Sequence, residues 1–439
     1  MKNLQATAMS LVLLLAVFLS GCIPSPEPPP LPMPPSSQVL PEPLPERMTI
    51  DVYWDATVSM QGFTKLAAGN VYRTLPDTLG DLGGSMGEVR FFRFGEQVTP
   101  VEGREYRRFS NPDCYTELIT SFGSVLNMAD PEHLSIVVTD LFESDADWSN
   151  VTQKLREKYF ANHMAVGIIG IKNSFNGEIF DVGLNAAKFS YNSGDDPARF
   201  RPFYLFLMGS EPQVRAFLEQ WEERQIPAGE IQYVVFSEYF TSKIMTFRLA
   251  DADAKGKNNL FEDRRLPKAD DRLQEVSIAN RDKNVEITIP GNLQQYPHAC
   301  TLIKDKLEKH VRIFAWSEGD ENQQGNWQQQ EGQNADVTFD FVNDEAGNNC
   351  TLKLVFLPNS TLPPGRIGLV QVQIAPSRQS VDLPIWISDW DMGNIDISPE
   401  LFDGAKTVNL KHIADSLKDS LMAAVQPTIA ELDLLIDGR

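Results

Sequence analysis

Histidine and cysteine are scarce in this chain, with 5 and 4 residues among 439. The histidines are scattered and form no H-E-x-x-H, and no C-x-x-C pair occurs. The spacings that assemble a zinc site on one helix or one turn are therefore absent. No G-x-x-x-x-G-K-[ST] loop is present to cradle a phosphate. Basic residues are also short: 39 Lys and Arg face 60 Asp and Glu, a formal charge of -21. A surface of that sign repels nucleic-acid backbones and anionic lipid headgroups, which excludes both as direct partners, and it is compatible with cation binding. Beyond the first residues, no run approaches the ~20 apolar residues of a membrane-spanning helix. What remains is an ordinary globular composition, 42% hydrophobic, with length for two or three domains.

The amino terminus reads as a targeting segment. Lys2 precedes an apolar run from Ala8 to Leu19, broken only by Ser10, and the run ends in Leu19-Ser20-Gly21-Cys22. That tetrapeptide resembles the lipobox of bacterial lipoproteins. The resemblance implies a signal peptide over 1–21 and a Cys22 that carries diacylglycerol and an amino-terminal acyl chain such as palmitate. Several acyl chains make a stable anchor, since each buried methylene adds about 0.8 kcal/mol. Ile23 rather than aspartate follows the cysteine, so the outer membrane is the expected address in a double-membraned bacterium. Residues 22–46 are then a lipidated cysteine and a proline-rich tether, as in Pro28-Pro29-Pro30. Its composition predicts an extended chain that reaches at most ~70 Å at polyproline spacing.

From 47 to 245 apolar strands alternate with helical stripes. Met48–Trp54, Glu88–Phe94, Leu134–Val138, Ala165–Ile171, Phe203–Met208 and Ile231–Phe236 read as strands. Leu118, Ile119, Phe122, Val125 and Leu126 fall on one helical face. So do Trp148, Val151, Leu155 and Tyr159, and later Val214, Phe217, Leu218 and Trp221. The alternation predicts an α/β fold, a doubly wound and mostly parallel sheet covered on both sides. Ligands in such folds sit at the carboxyl ends of strands. Oxygen donors gather there: Asp55, Thr57 and Ser59 after the first strand, Thr116 before a helix, and Asp140 after Ile136-Val137-Val138. Two carboxylates and three hydroxyls suit a hard divalent cation and leave it under-neutralised.

At these residues the sequence resembles the von Willebrand factor A domain with its metal-ion-dependent adhesion site. The family pattern is Asp-x-Ser-x-Ser, then a threonine, then an aspartate after an apolar strand. The resemblance implies direct contact of Ser59, Thr57 and Thr116 with the ion, and contact of Asp55 and Asp140 through water. It also implies a free position for an acidic group of a partner protein. Thr57 stands where serine is usual, and Leu141 follows Asp140 where glycine is common. The expected ion is magnesium, with manganese or calcium as alternatives. An aspartate-nucleophile phosphatase would want a second aspartate at the position of Thr57.

Asp251, Asp253, Gly256 and Glu262 partly match a calcium loop, but Lys255 occupies its fifth position, and 246–272 reads as a charged linker. Beyond it the period switches to two, as in Val285, Ile287, Ile289 and in Val370, Val372, Ile374. Residues 273–395 are therefore expected to form a β-rich, sandwich-like domain. Ile413, Leu417, Leu421 and Val425 place a helix in the last segment, 396–439. Cys300 and Cys350 each open a strand-like run. In an oxidising compartment they could pair, and the sequence leaves pairing and separate burial equally open. The function expected is an envelope lipoprotein that binds protein through a divalent cation and is not an enzyme. A structural scaffold with an inert site is the alternative, and a metal-dependent hydrolase stands behind both.

Overall fold

The computed structural model describes residues 43–438 except 66–69, 142–144, 183–186, 225–229, 253–256, 263–271, 318–324, 332–334, 342–347, 363 and 394–401. The signal segment, Cys22, most of the tether and Asp253 of the calcium-like loop thus lie outside the described residues. The chain is a mixed α/β protein with several sheets. Among the described residues no helix is long and apolar enough to cross a membrane.

The first sheet grows around β1 (Met48–Asp55). Ile50, Val52 and Trp54 pack into one core and Tyr53 into the other, so both faces of the strand are buried. β2 (Gly87–Phe94) and β4 (Leu134–Thr139) flank β1 in parallel, and β3 (Val98–Val101) returns antiparallel along β2. Past β4 the order is β6 (Arg201–Gly209), β5 (Ala165–Asn173) and β7 (Ile231–Phe236), each antiparallel to its neighbour. The sheet is therefore parallel only across β2, β1 and β4, where a mostly parallel sheet was expected. The cause lies after β5. The chain makes a hairpin of Asn176–Val182 and Ala187–Asn192 and then enters β6 through one short turn of helix. No crossover helix intervenes, and without one the next strand must run antiparallel.

Helices cover both faces. Buried residues of α1 (Val71–Met86), among them Tyr72, Leu75, Leu79 and Leu82, share a core with Ile50 and Trp54. α4 (Glu211–Glu223) joins them through Val214, Phe217 and Trp221. α2 (Phe122–Met128) and α3 (Asp145–Lys158) pack with Tyr53, Val137 and Phe206 on the other side. Ser121 caps α2 by accepting from Ser124 N at 3.3 Å. The helix therefore starts at Phe122, and Leu118 and Ile119 fall outside the stripe to which their spacing assigned them.

The second half is β-rich, as expected. β9 (Val285–Asn292), β11 (Asp336–Phe341) and β12 (Asn349–Phe356) form a sheet with Lys257–Asn258. A larger sheet holds β8 (Gln274–Ile278), β10 (Glu308–Ser317), β13 (Ile367–Ala375) and β14 (Ala430–Asp437). Ile287 and Leu354 from one sheet and Val372 and Leu434 from the other lie in one apolar cluster, which continues to Tyr53 and Phe206 of the first sheet. Leu260–Glu262 and Met245–Thr246 pair with β8 and β14, so part of the expected linker is woven into this sheet.

α5 (Leu410–Ala424) buries Ile413, Leu417 and Leu421 and packs on α3. The terminal segment is not all helix, however. β14 lies between β8 and β13, because Ala430, Leu432, Leu434 and Ile436 alternate into the core. Cys300 and Cys350 are both free. Cys300 Sγ faces Val235 O at 3.8 Å and Cys350 Sγ faces Met245 Sδ at 4.0 Å. Burial pushes the first thiol up to about 12 and the second to about 11. They are separate core residues rather than a disulfide.

Candidate functional site

Asp55 is fully buried at the carboxyl end of β1. The chain turns immediately behind it, so Thr57 N and Thr57 Oγ1 both donate to Asp55 Oδ1, at 3.0 and 2.7 Å. Ser59 Oγ lies 3.0 Å from Thr57 Oγ1. From the end of β4, Thr139 Oγ1 donates to Asp55 Oδ2 at 2.9 Å, and Thr120 Oγ1 reaches the same oxygen at 3.4 Å. Thr120 Oγ1 also lies 3.4 Å from Thr57 Oγ1. Backbone bonds hold the loops in place. Ala56 N donates to Phe94 O, Val58 N to Glu117 O, and Glu117 N to Ala56 O.

Of the five residues expected from sequence, Asp55, Thr57 and Ser59 meet through hydrogen bonds. Asp140 is close enough for its charge to act on Asp55. Thr116 does not join them. Its side chain is exposed and takes only a 3.4 Å contact from Arg93 Nη2, which also pairs with Glu117 at 3.0 Å. Thr120 supplies the hydroxyl in its place. Thr120 and Thr139 were both missed. One stands just before the helix-capping Ser121, and the other is the last residue of a buried strand. Each position is a sequence signal for a hydroxyl aimed at the carboxyl edge of the sheet.

Burial and then the nearby Asp140 carboxylate push Asp55 up to about 7, against the bonds from Thr57 and Thr139 that pull it down. Arg201 sits on the other side of Asp140. It is 3% exposed, with Nη2 at 3.7 Å from Asp140 Oδ2. Its Nη1 donates to the carbonyls of Gly404 and Lys406, both at 3.3 Å. Burial lowers the Arg201 pKa and Asp140 holds it up. A buried aromatic floor lies next to Asp55, where Trp54 Nε1 donates to Tyr72 Oη at 2.8 Å and to Tyr115 Oη at 3.0 Å.

Leu141, next to Asp140, has φ 58°. That conformation costs a non-glycine residue about 1–2 kcal/mol. The side chain is buried in the core with α2 and α3, which offsets the strain at about 2 kcal/mol. This explains a leucine where glycine would be the relaxed choice.

All donors are oxygens, and the charge that Asp55 and Asp140 force on each other is what a cation relieves. The set of Asp55, Thr57, Ser59, Thr120 and Asp140 therefore fits a hard divalent ion with water completing its shell. Arg201 already provides one positive charge beside Asp140. Among the described residues no group of three or more His, Cys, Asp or Glu forms a carboxylate-rich or imidazole cage. Gly83-Gly84-Ser85-Met86-Gly87 matches the spacing of a hydrolase nucleophile elbow. However, Ser85 closes helix α1 ahead of a strand, the reverse of strand–turn–helix, and its Oγ donates to Leu82 O at 2.6 Å. Comparison with models of protein families gives no match, and neither curated proteins nor solved structures give one.

Proposed function

We propose that this chain is an exported lipoprotein of the cell envelope, anchored through Cys22, whose 47–245 unit is a von Willebrand factor A-like domain. The unit binds a divalent cation, magnesium first, and through it a carboxylate of a partner protein. The observation that carries the reading is the buried Asp55, which has no salt bridge to a cationic side chain among the described residues and is surrounded by the hydroxyls of Thr57, Thr120 and Thr139. Ser59, Thr57 and Thr120 would hold the ion with Asp55 and Asp140 behind them. The ion would supply the positive charge that a partner carboxylate seeks. The parallel β2–β1–β4 block with an antiparallel edge strand supports the reading. So do the helices on both faces. The antiparallel β6 and β7 are departures from the expected sheet. The sandwich-like domain would serve as a platform that the A-like unit shares a core with.

A second reading has its own observation. Arg201 lies 3.7 Å from Asp140 and could be the cluster's permanent cation, leaving an inert site in a structural scaffold. Calorimetric titration of residues 47–439 with magnesium and manganese separates the two. The binding reading expects saturable uptake that Asp55→Ala abolishes. Uptake that survives Asp55→Ala, or none in the wild type, would move the assignment to the scaffold.

A further inference from the structure

Residues 402–408 come from the far end of the chain, yet they lie against the first half beside Asp140. Phe402 stacks on Phe189 of the hairpin, with ring centroids 4.4 Å apart and planes 7° apart. A Cβ at Gly404 would stand 2.3 Å from the Tyr191 ring, so only glycine lets the backbone come this close. Thr407 Oγ1 lies 2.8 Å from Tyr204 Oη on β6, and Thr407 N donates to Trp390 O at 2.9 Å. The segment is thus a strap over the edge of the site. It runs directly into α5, which packs on α3.

Arg201 joins this strap to the ion cluster. Its Nη2 faces Asp140 Oδ2 at 3.7 Å, and its Nη1 donates to Gly404 O and Lys406 O of the strap, both at 3.3 Å. The side chain is 3% exposed, its Nε has no hydrogen-bond partner, and its Cζ lies 5.6 Å from the centre of the Phe175 ring. Among the described residues Asp140 is the one carboxylate that pairs with it. A buried guanidinium is stable only while it is paired. An ion in the cluster draws on the same Asp140 charge and adds positive charge of its own nearby. The surroundings of Arg201 offer it no second carboxylate in exchange. The guanidinium is then either left buried without a counter-charge or driven outward, and moving outward breaks both of its bonds to the strap.

We infer that an ion in the cluster and the closed strap exclude each other, with Arg201 as the group that decides between them. Ion uptake releases residues 402–408 from the first half, and release of the strap opens the approach to α5. The inference rests on the reading that the cluster binds a divalent cation, and it gives that site a regulated output in the distant part of the chain. Coupling of this kind is reciprocal, so a loosened strap strengthens ion binding by the same factor by which the ion loosens the strap.

Hydrogen exchange of the full chain in detergent micelles, read by mass spectrometry with and without magnesium, tests this. The reporters are bonded amides: Ala405 N to Asp403 Oδ1, Lys406 N to Asp403 O and Thr407 N to Trp390 O. Magnesium should speed exchange over 402–408 by about fivefold and leave β9 unchanged. In Arg201→Gln the strap should exchange at the fast rate whether or not magnesium is present. Phe402→Ala removes the stack on Phe189 without touching the cluster, and it should tighten magnesium binding about threefold in calorimetry. Strap exchange that magnesium leaves unchanged or slows, an equal rise in β9, or wild-type affinity in Phe402→Ala overturns the coupling and leaves the cation site standing. Absence of magnesium uptake by the wild type overturns the cation reading and this inference with it.

Discussion

Strand β1 carries two buried aspartates on one face, four residues apart, and they have opposite surroundings. Asp51 receives a two-pronged ion pair from Arg90, Nε to Oδ1 and Nη2 to Oδ2, both at 2.7 Å. His133 Nδ1 lies 3.0 Å from its second oxygen. Among the described residues Asp55 receives only neutral donors, and the charge that acts most on it is another carboxylate. The register with β2 sets this difference, because Asp51 faces Arg90 and Asp55 faces Phe94. A buried carboxylate that is matched by a cation stabilises the strand end where it sits. One that is left unmatched at the carboxyl edge costs stability and keeps its charge available for a ligand.

The largest expected effect is that charge removal has opposite signs at the two positions. Asp51→Asn breaks a paired, buried carboxylate. It should cost about 2 kcal/mol in urea unfolding, less than the 3–5 typical of a fully buried pair because Arg90 is partly hydrated. Asp55→Asn relieves repulsion with Asp140. It should raise metal-free stability by roughly 1–3 kcal/mol at pH 8. The pH profile follows from the same group. Unfolded Asp55 releases its proton near its ordinary 3.8, and the folded chain holds it to about 7. Stability is therefore full below pH 4, falls as pH rises from 4 to 7, and is flat with respect to this group above that. Thermal unfolding between pH 4 and 8 without metal should show that slope in the wild type and lose it in Asp55→Asn. If magnesium binds, it should restore the wild type above pH 7. A wild type whose stability climbs steadily from pH 4 to 7, with the variant unchanged, would mean that Asp55 is matched after all.

A smaller effect is expected at Arg201, the nearest thing to a counter-charge on the Asp55 side. Its guanidinium competes for the negative charge that a divalent ion would use. Arg201→Gln should tighten magnesium binding about tenfold, ~1.4 kcal/mol, in calorimetry. The side chain also ties Gly404 and Lys406 to the first sheet. The variant should accordingly melt a few degrees lower. Unchanged or weaker affinity in a folded variant would make Arg201 a positioning group for Asp140 rather than a competitor.

The sequence made much of this legible, and for local reasons. Apolar runs and 3.6-residue stripes placed β1, β2, β4 and helices α2 to α5, though not α1, and strand ends pointed to Asp55, Thr57, Ser59 and Asp140. What was hidden depends on distant chain. Strands buried on both faces, such as Phe203–Met208, carry no signal of direction, so the antiparallel entry of β6 could not be read. The stripe from Ile413 to Val425 assigned the whole last segment to helix, although the alternation of Glu431 and Asp433 with Leu432 and Leu434 beyond it is that of a central strand. The pairing of Asp51 with Arg90 is a matter of register between strands 39 residues apart, and so is the lack of a cation at Asp55. Cys300 and Cys350 were indistinguishable from a disulfide pair until their separate neighbours were known.

The smallest effect tests the loop where the sequence placed the hydroxyl at Thr116 and the fold offers Thr120. Both residues are threonines on one five-residue stretch, and each can be changed to valine with shape kept and the hydroxyl lost. Thr120 Oγ1 bonds to Asp55 and Thr57, whereas Thr116 Oγ1 touches only Arg93, on the solvent side. Thr120→Val should weaken magnesium uptake by about tenfold, the worth of one oxygen donor or hydrogen bond at ~1.4 kcal/mol. Thr116→Val should leave it within a factor of two, because an exposed hydroxyl exchanges one water contact for another. The opposite ranking would mean that the loop rearranges when the ion enters, bringing Thr116 inward by turning the chain at Glu117. The backbone bonds from Val58 N to Glu117 O and from Glu117 N to Ala56 O stand against that turn, since both would have to break for it to occur.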